Sequence, residues 1–248
     1  MALREEMEKQ GDWLFRWRSY VPLIIVPLLL LALTHAEGLE KTVSHRAEVL
    51  WEGFSLAVAV AGFAVRCFVG GTVPAGTSGR NTAEQIADQL NTTGAYSVVR
   101  HPLYVGNFLT MLGVALFTQV WWFVVISVLA FWVYYERIMF AEEAYLETKF
   151  GEAFREWTKR TPAFIPRLSA WQPPTLPFCW RTVLKREHTG ILWITLAFAL
   201  VDFLADGISE GHWRLDLTWG VALALGAAAY VVLLTLKKKT SVLAVEGR

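Results

Sequence analysis

Cysteine and histidine are scarce in this 248-residue chain, which holds two cysteines, Cys67 and Cys179, and five histidines. The cysteines lack C-x-x-C spacing and no two histidines form an H-x-x-x-H pair, so neither a disulfide framework nor a zinc site is indicated. Reduced thiols and no resident metal are expected. Charge is sparse as well, at 18% of residues and a net +1. Lysines and arginines sit between apolar blocks and form no basic face, which gives no case for a nucleic-acid partner. No internal repeat or low-complexity tract stands out. What the sequence has in excess is apolar surface: 54% hydrophobic residues and a mean hydropathy of +0.38. A hydrocarbon core roughly 30 Å thick takes about 20 apolar residues per helix, and blocks near that length recur here. Lipid, rather than a globular core, is the expected solvent.

Uncharged blocks run over 19–36, over 53–69 with only Arg66 as an interruption, over 189–201 and over 217–236. Between them lies 102–135, a stretch of 34 residues without a charge. That is too long for one upright helix at about 1.5 Å per residue. Basic residues stand just outside both of its ends, at Arg100 and at Arg137, Lys149, Arg155, Lys159 and Arg160, so both ends are expected in the cytoplasm. The stretch then has to be a helical hairpin, with the polar pair Thr118-Gln119 at its tip and Trp121 and Trp122 at the far interface.

The whole reads as an all-α, polytopic membrane protein of about six transmembrane helices. It has a tight hairpin over about 102–135 and an interfacial amphipathic helix over about 138–158. In this arrangement 19 of the 23 basic residues fall on one side together with both termini, and only Lys41, Arg46 and Arg214 on the other, with Arg66 inside a span. This split obeys the positive-inside rule and puts the N- and C-termini in the cytoplasm. Arg66 is expected to snorkel toward the interface, and Asp202 to lie near an outer helix end. A competing reading of the start is a signal peptide, since Arg16 and Arg18 precede an apolar run ending Thr34-His35-Ala36. Against it, Glu5, Glu6, Glu8 and Asp12 make an unusually acidic leader. The segment 70–91, rich in Gly, Thr, Ser and Asn, reads as a flexible loop partly ordered by ligand. Its Asn91-Thr92-Thr93 triplet matches a glycosylation sequon that would stay unmodified in the cytoplasm.

The chemistry concentrates over 94–166. Arg100 and His101 immediately precede Pro102, which suits the first turn of a helix. A helix N-terminus with free amide donors, flanked by a cation and an imidazole, is able to bind an anion; an arginine that only anchors the helix at the headgroups explains Arg100 equally well. Tyr104 and Gly106 follow, with Gly113 on the same face as Gly106, so that a second helix or a flat ligand can approach the backbone. Beyond the hairpin, Met139, Leu146, Phe150, Ala153 and Trp157 form one apolar stripe. Glu142 falls inside that stripe and requires a partner or a cavity, while Glu143 lies at its edge.

Together these residues resemble the integral membrane methyltransferases that comprise the isoprenylcysteine carboxyl methyltransferases and the phospholipid methyltransferases. The matching elements are Gly94-x-Tyr96, Arg100-His101-Pro102-x-Tyr104-x-Gly106, a helical hairpin, Glu142-Glu143-x-x-Leu146, Phe150-Gly151 and Arg160-x-Pro162 leading to Pro166. Ala95 departs from the proline that the family usually has after the glycine. The resemblance divides the chain into an N-terminal segment with a first span (1–52), a methyltransferase core (53–167) and a C-terminal linker with two further spans (168–248).

The resemblance implies an S-adenosylmethionine cofactor and a lipid or lipidated acceptor in the bilayer: a headgroup phosphate or amine, or a prenylcysteine carboxylate. It implies cofactor-binding roles for Tyr96, Arg100, His101, Tyr104, Gly106, Glu142 and Glu143, and catalytic roles for His101, Arg100 and Glu142. A carboxylate or phosphate acceptor needs no base, whereas an amine has to lose a proton, for which His101 or a glutamate is available. Membrane sterol reductases that use NADPH share a similar Arg-His-Pro-x-Tyr-x-Gly element, but they usually carry a cysteine where Leu146 stands. A non-catalytic scaffold or carrier is the third reading, and no intramembrane chain of ionisable residues marks a transport path.

Overall fold

The structure, a computed structural model, describes residues 3–18, 20–36, 43–77, 87–209 and 211–248. Lys41, Ser19 and residues 78–86 of the expected flexible loop lie outside the described residues. The described elements are helical throughout: α1 (Leu3–Arg16), a 3-10 turn (Val21–Ile25), α2 (Val26–Leu33), α3 (His45–Thr72), α4 (Ala95–Val98), α5 (Pro102–Phe117), α6 (Trp121–Phe150), α7 (Glu152–Arg160), α8 (Trp180–Glu187), α9 (Gly190–Ser209) and α10 (Leu217–Lys239), with one further 3-10 turn at Leu168–Ala170.

Four of these helices, α3, α6, α9 and α10, are long and apolar enough to cross a membrane, and the chain is an integral membrane protein. The start of the chain makes a fifth candidate only as a bent pair, Glu5–Arg16 with Val21–Leu33, at 89° to each other. The first span expected over 19–36 is described as a 3-10 turn followed directly by α2, and the bend falls before Val21. Pro22 and Pro27 each open a new helical segment there, because proline lacks the amide that a helix interior needs. α5, at 16 residues, spans about 24 Å at 1.5 Å per residue, short of a full hydrocarbon core. Length and composition thus give four or five spans where the sequence pattern predicts six.

The hairpin is present, with its tip where expected. Gln119 adopts a left-handed conformation at φ 60° and its side-chain amide donates to Glu48 at 3.3 Å, tying the turn to the start of α3. The interfacial helix expected over 138–158 is divided differently. α6 continues without interruption to Phe150, since nothing between Trp121 and Phe150 breaks a helix. The break falls at Gly151, whose φ of +53° suits a residue without Cβ, and the separate amphipathic helix is only α7.

Close packing of α3 on α5 sets the frame of the site. A Cβ on Gly106 would lie 2.8 Å from the carbonyl oxygen of Gly62 and 2.7 Å from Cγ of Arg66, and one on Gly113 would lie 2.5 Å from the carbonyl oxygen of Ser55. Small residues on both helices let the backbones approach, as is usual between membrane helices. α1 lies along α6, where Gln10 accepts a hydrogen bond from Nε of Arg137 at 2.8 Å. At the opposite end of the membrane helices, Phe117 packs edge-on against Phe198 and Trp219 in a core shared with Leu33, Ala59 and Val201. The two C-terminal spans are thereby joined to the hairpin.

Candidate active site

Three stretches distant in sequence meet around the start of α5. The strand-like segment after α7 runs back along residues 94–101: Arg100 and His101 donate their backbone amides to the carbonyls of Pro162 and Ala163 at 2.8 and 3.2 Å, and Arg167 donates to Val98 at 2.9 Å. Gly94 pairs with Gln172 at φ +60°, with Pro174 against it. Trp157 of α7 donates its indole N–H to the carbonyl of Tyr96 at 3.1 Å. The backbone of Pro162, Ala163 and Arg167 therefore clamps the loop that presents Arg100 and His101.

His101 is buried at 6% exposure between the two glutamates of α6. Its Nε2 is 2.9 Å from Oε1 of Glu143 and its Nδ1 is 3.5 Å from Oε2 of Glu142. Burial opposes a charge on this ring, but hydrogen bonding to Glu142 and Glu143 outweighs it and holds the imidazole pKa above its ordinary value. The ring also stacks on Tyr104, with centroids 5.6 Å apart, and the Tyr104 hydroxyl donates to Oε1 of Glu142 at 2.6 Å. Arg100 closes the group, its Nε 3.2 Å from Oε1 of Glu143 but buried and without a hydrogen bond. Glu142, inside the apolar stripe, thus has its partners in His101 and Tyr104. Arg137 points instead to Gln10 and to the carbonyl of Val133.

Over this group opens a cleft of about 790 Å³, counting the solvent at its mouth. Tyr96, Arg100, His101, Tyr104 and Glu142 line it, with Leu146 and Trp157 as apolar wall. Phe15 of α1 and Leu90 of the loop before α4 also reach it, which no local signal in the sequence shows. Two expected cofactor-binding residues stand elsewhere. Glu143 does not line the cleft but backs His101 and Arg100. Gly106 is enclosed between α5 and α3, so its small size serves helix packing and not contact with a flat ligand.

Arg66 has specific partners: both oxygens of Glu187 accept from its guanidinium at 3.0–3.2 Å, and it donates to Asn107. Asn107 in turn donates to the Tyr135 hydroxyl at 3.1 Å, and the Tyr135 ring is 4.7 Å from Tyr104. A hydrogen-bonded chain thus runs from the ion pair to Tyr135, which touches Tyr104, the partner of Glu142, through its ring. Asn107 was detectable as a polar residue within an uncharged run; Glu187, 121 residues from Arg66, was not.

Residues 75–153 match the family model for phospholipid methyltransferase. Among curated proteins, the chain is 41% identical over 95 residues to the nickel-cobalt-cadmium resistance protein NccN of Alcaligenes xylosoxydans xylosoxydans, covering 38% of this chain and 42% of that protein. It is 42% identical over 83 residues to the cobalt-zinc-cadmium resistance protein CzcN of Cupriavidus metallidurans, covering 34% and 38%. To the protein-S-isoprenylcysteine O-methyltransferase of Schizosaccharomyces pombe it is 35% identical over 77 residues, covering 31% and 33%. The matched stretch spans about two fifths or less of the length of each of these relatives. No solved structure matches the chain. The family match and the last relative bear out the resemblance to the isoprenylcysteine carboxyl and phospholipid methyltransferases, and the matched region contains Arg100, His101, Glu142 and Glu143. Among the described residues no group of three or more His, Cys, Asp or Glu side chains is placed to hold a metal ion.

Proposed function

We propose that this chain is an integral membrane methyltransferase that takes a methyl group from S-adenosylmethionine and passes it to a lipid or lipidated acceptor, with the cleft facing the cytoplasm. The observation that carries the reading is the Glu142–His101–Glu143 clamp at the mouth of α5, within the stretch that matches the family. The residues present suit the cofactor. Glu142 offers a carboxylate to a cationic or hydroxyl-bearing group, and Arg100 offers a partly buried cation, with an unbonded Nε, to a carboxylate.

S-adenosylmethionine supplies, when bound, a methyl group made electrophilic by its sulfonium. The protein's share is then positioning more than covalent chemistry. His101, gripped by two carboxylates, holds a proton more tightly than a free imidazole and orients both glutamates. Tyr104 fixes the Glu142 carboxylate from the other side, and Tyr96, half-buried with its carbonyl held by Trp157, walls the cleft. Leu146, in place of a cysteine, speaks against the NADPH reductase reading.

Calorimetry on the purified full chain in detergent tests the proposal. Saturable binding of S-adenosylmethionine and of its demethylated product, with no heat from NADPH, is the expected result. Tight NADPH binding with no response to the methyl donor would overturn it in favour of the reductase.

A further inference from the structure

α1 lies outside the stretch that matches the methyltransferase family, which begins at residue 75, and yet it reaches the cleft. Its seat on α6 is close. A Cβ on Gly11 would collide with the carbonyl oxygen of Arg137 and lie 2.7 Å from Cβ of Ala141, and Gln10 accepts from the Arg137 guanidinium at 2.8 Å. Arg137 and Ala141 belong to the turns of α6 that lead into Glu142, so the contact sets α1 beside the carboxylate of the site. Four residues after Gly11, and so on the same face of the helix, Phe15 is buried at 4% exposure and lines the cleft together with Tyr96, Tyr104 and Glu142. The Arg18 guanidinium lies 4.3 Å from the centre of the Phe15 ring and fixes its attitude by a cation–π contact. The other face of α1 carries Trp13 and Trp17, both exposed, with rings 6.4 Å apart. Exposed tryptophans suit a membrane interface, and α1 stands at 89° to the apolar segment Val21–Leu33, as a helix lying on the surface does.

We infer that α1 is a wall of the cofactor site and that Phe15 is a binding residue whose ring touches S-adenosylmethionine. The inference rests on the methyl-transfer reading and adds to it a contact from outside the family-matched stretch. An aromatic ring suits this ligand in two ways, since a planar base stacks on it and a sulfonium cation is drawn to its face. Arg100, His101 and Glu142 offer charge and hydrogen bonds to the same ligand but no apolar surface. Gly11 does not line the cleft; it is a positioning residue, because only a residue without a side chain lets α1 sit deep enough on α6 to bring Phe15 to the wall.

The experiment uses the full chain in neutral detergent, with calorimetry on S-adenosylmethionine and a thermal melt of each sample. Phe15→Ala is expected to bind roughly tenfold more weakly, as the loss of a partly ligand-covered aromatic side chain implies, and Phe15→Tyr to stay within about threefold because the ring remains. Gly11→Val, which lifts α1 from α6, should weaken binding as Phe15→Ala does, whereas Trp13→Ala on the exposed face should leave it unchanged. A second readout separates contact from packing. In a background without Cys67 and Cys179, S-adenosylmethionine should slow the reaction of Phe15→Cys with a small methanethiosulfonate reagent and leave that of Trp13→Cys unaltered. Normal affinity in Phe15→Ala with an intact melt, or labelling of Phe15→Cys at equal rates with and without the cofactor, would overturn the inference. If Phe15→Ala does not fold, Phe15→Leu, which keeps apolar bulk without a ring, takes its place beside the labelling. A wild type that binds no S-adenosylmethionine would overturn the methyl-transfer reading and this inference with it, whereas a wild type that binds beside unaffected variants overturns the role of α1 alone.

Discussion

Replacing Glu142 with glutamine keeps the size of the side chain and removes the charge at the one acidic position that both lines the cleft and contacts His101. The neutral amide can still accept from Tyr104, whose hydroxyl now donates at 2.6 Å, and His101 keeps Glu143 at 2.9 Å. The fold should therefore survive. What is lost is a charge-assisted hydrogen bond to a cationic or hydroxyl group of the cofactor, worth about 1.5–3 kcal/mol, which corresponds to roughly ten- to hundredfold weaker binding. Glu147 is the control, since it pairs with Arg155 at 3.3 Å on an exposed face. Such pairs contribute about 0–1 kcal/mol, so Glu147→Gln should bind S-adenosylmethionine almost normally. Calorimetry reads affinity and a thermal melt in the same detergent reads folding. Normal cofactor affinity in Glu142→Gln, or loss of binding only because the melt has collapsed, would refute the assignment and leave Glu142 as a structural partner of His101.

Four further outcomes follow from the same geometry. His101 binds its proton more tightly in the folded protein than at the ordinary histidine value of 6.5; its contribution to stability is whole below pH 6.5 and falls as pH rises through the higher folded value, so melts from pH 5.5 upward should show a decline that His101→Gln flattens. Gly106→Val should lower the melting temperature through overpacking of about 1–3 kcal/mol, whereas Gly53→Ala, with nothing within 4 Å of the added carbon, should not. Glu187→Gln leaves Arg66 without its carboxylate among membrane helices and should destabilise by about 3–5 kcal/mol, with much of the loss recovered in the double variant Arg66→Met, Glu187→Leu. In a background without Cys67 and Cys179, a cysteine replacing the exposed Trp121 should react with an impermeant reagent from outside intact cells while one near either terminus should not; the reverse pattern would end the cytoplasmic placement of the cleft.

Sequence alone determined most of the helices and the tip of the hairpin, because long apolar runs have few solutions in lipid and the basic residues at 100 and 137–160 require both ends of 102–135 on one side. It also located Arg100, His101 and the glutamates, since a charge inside an apolar stripe has to be explained by a partner or a cavity. Tertiary structure alone decided which partner each charge has. Glu142 meets His101 and Tyr104 rather than an arginine, Arg66 meets Glu187 across 121 positions, and Gly106 faces α3 rather than the cleft. The arrival of Phe15, from the start of the chain, at the wall of the cleft belongs to the same class. Hydrophobic periodicity specifies which face of a helix is buried but carries no information on which distant helix covers it. The pairing of charges between helices follows only once close packing, here through Gly62, Gly106 and Gly113, has set their rotation and depth.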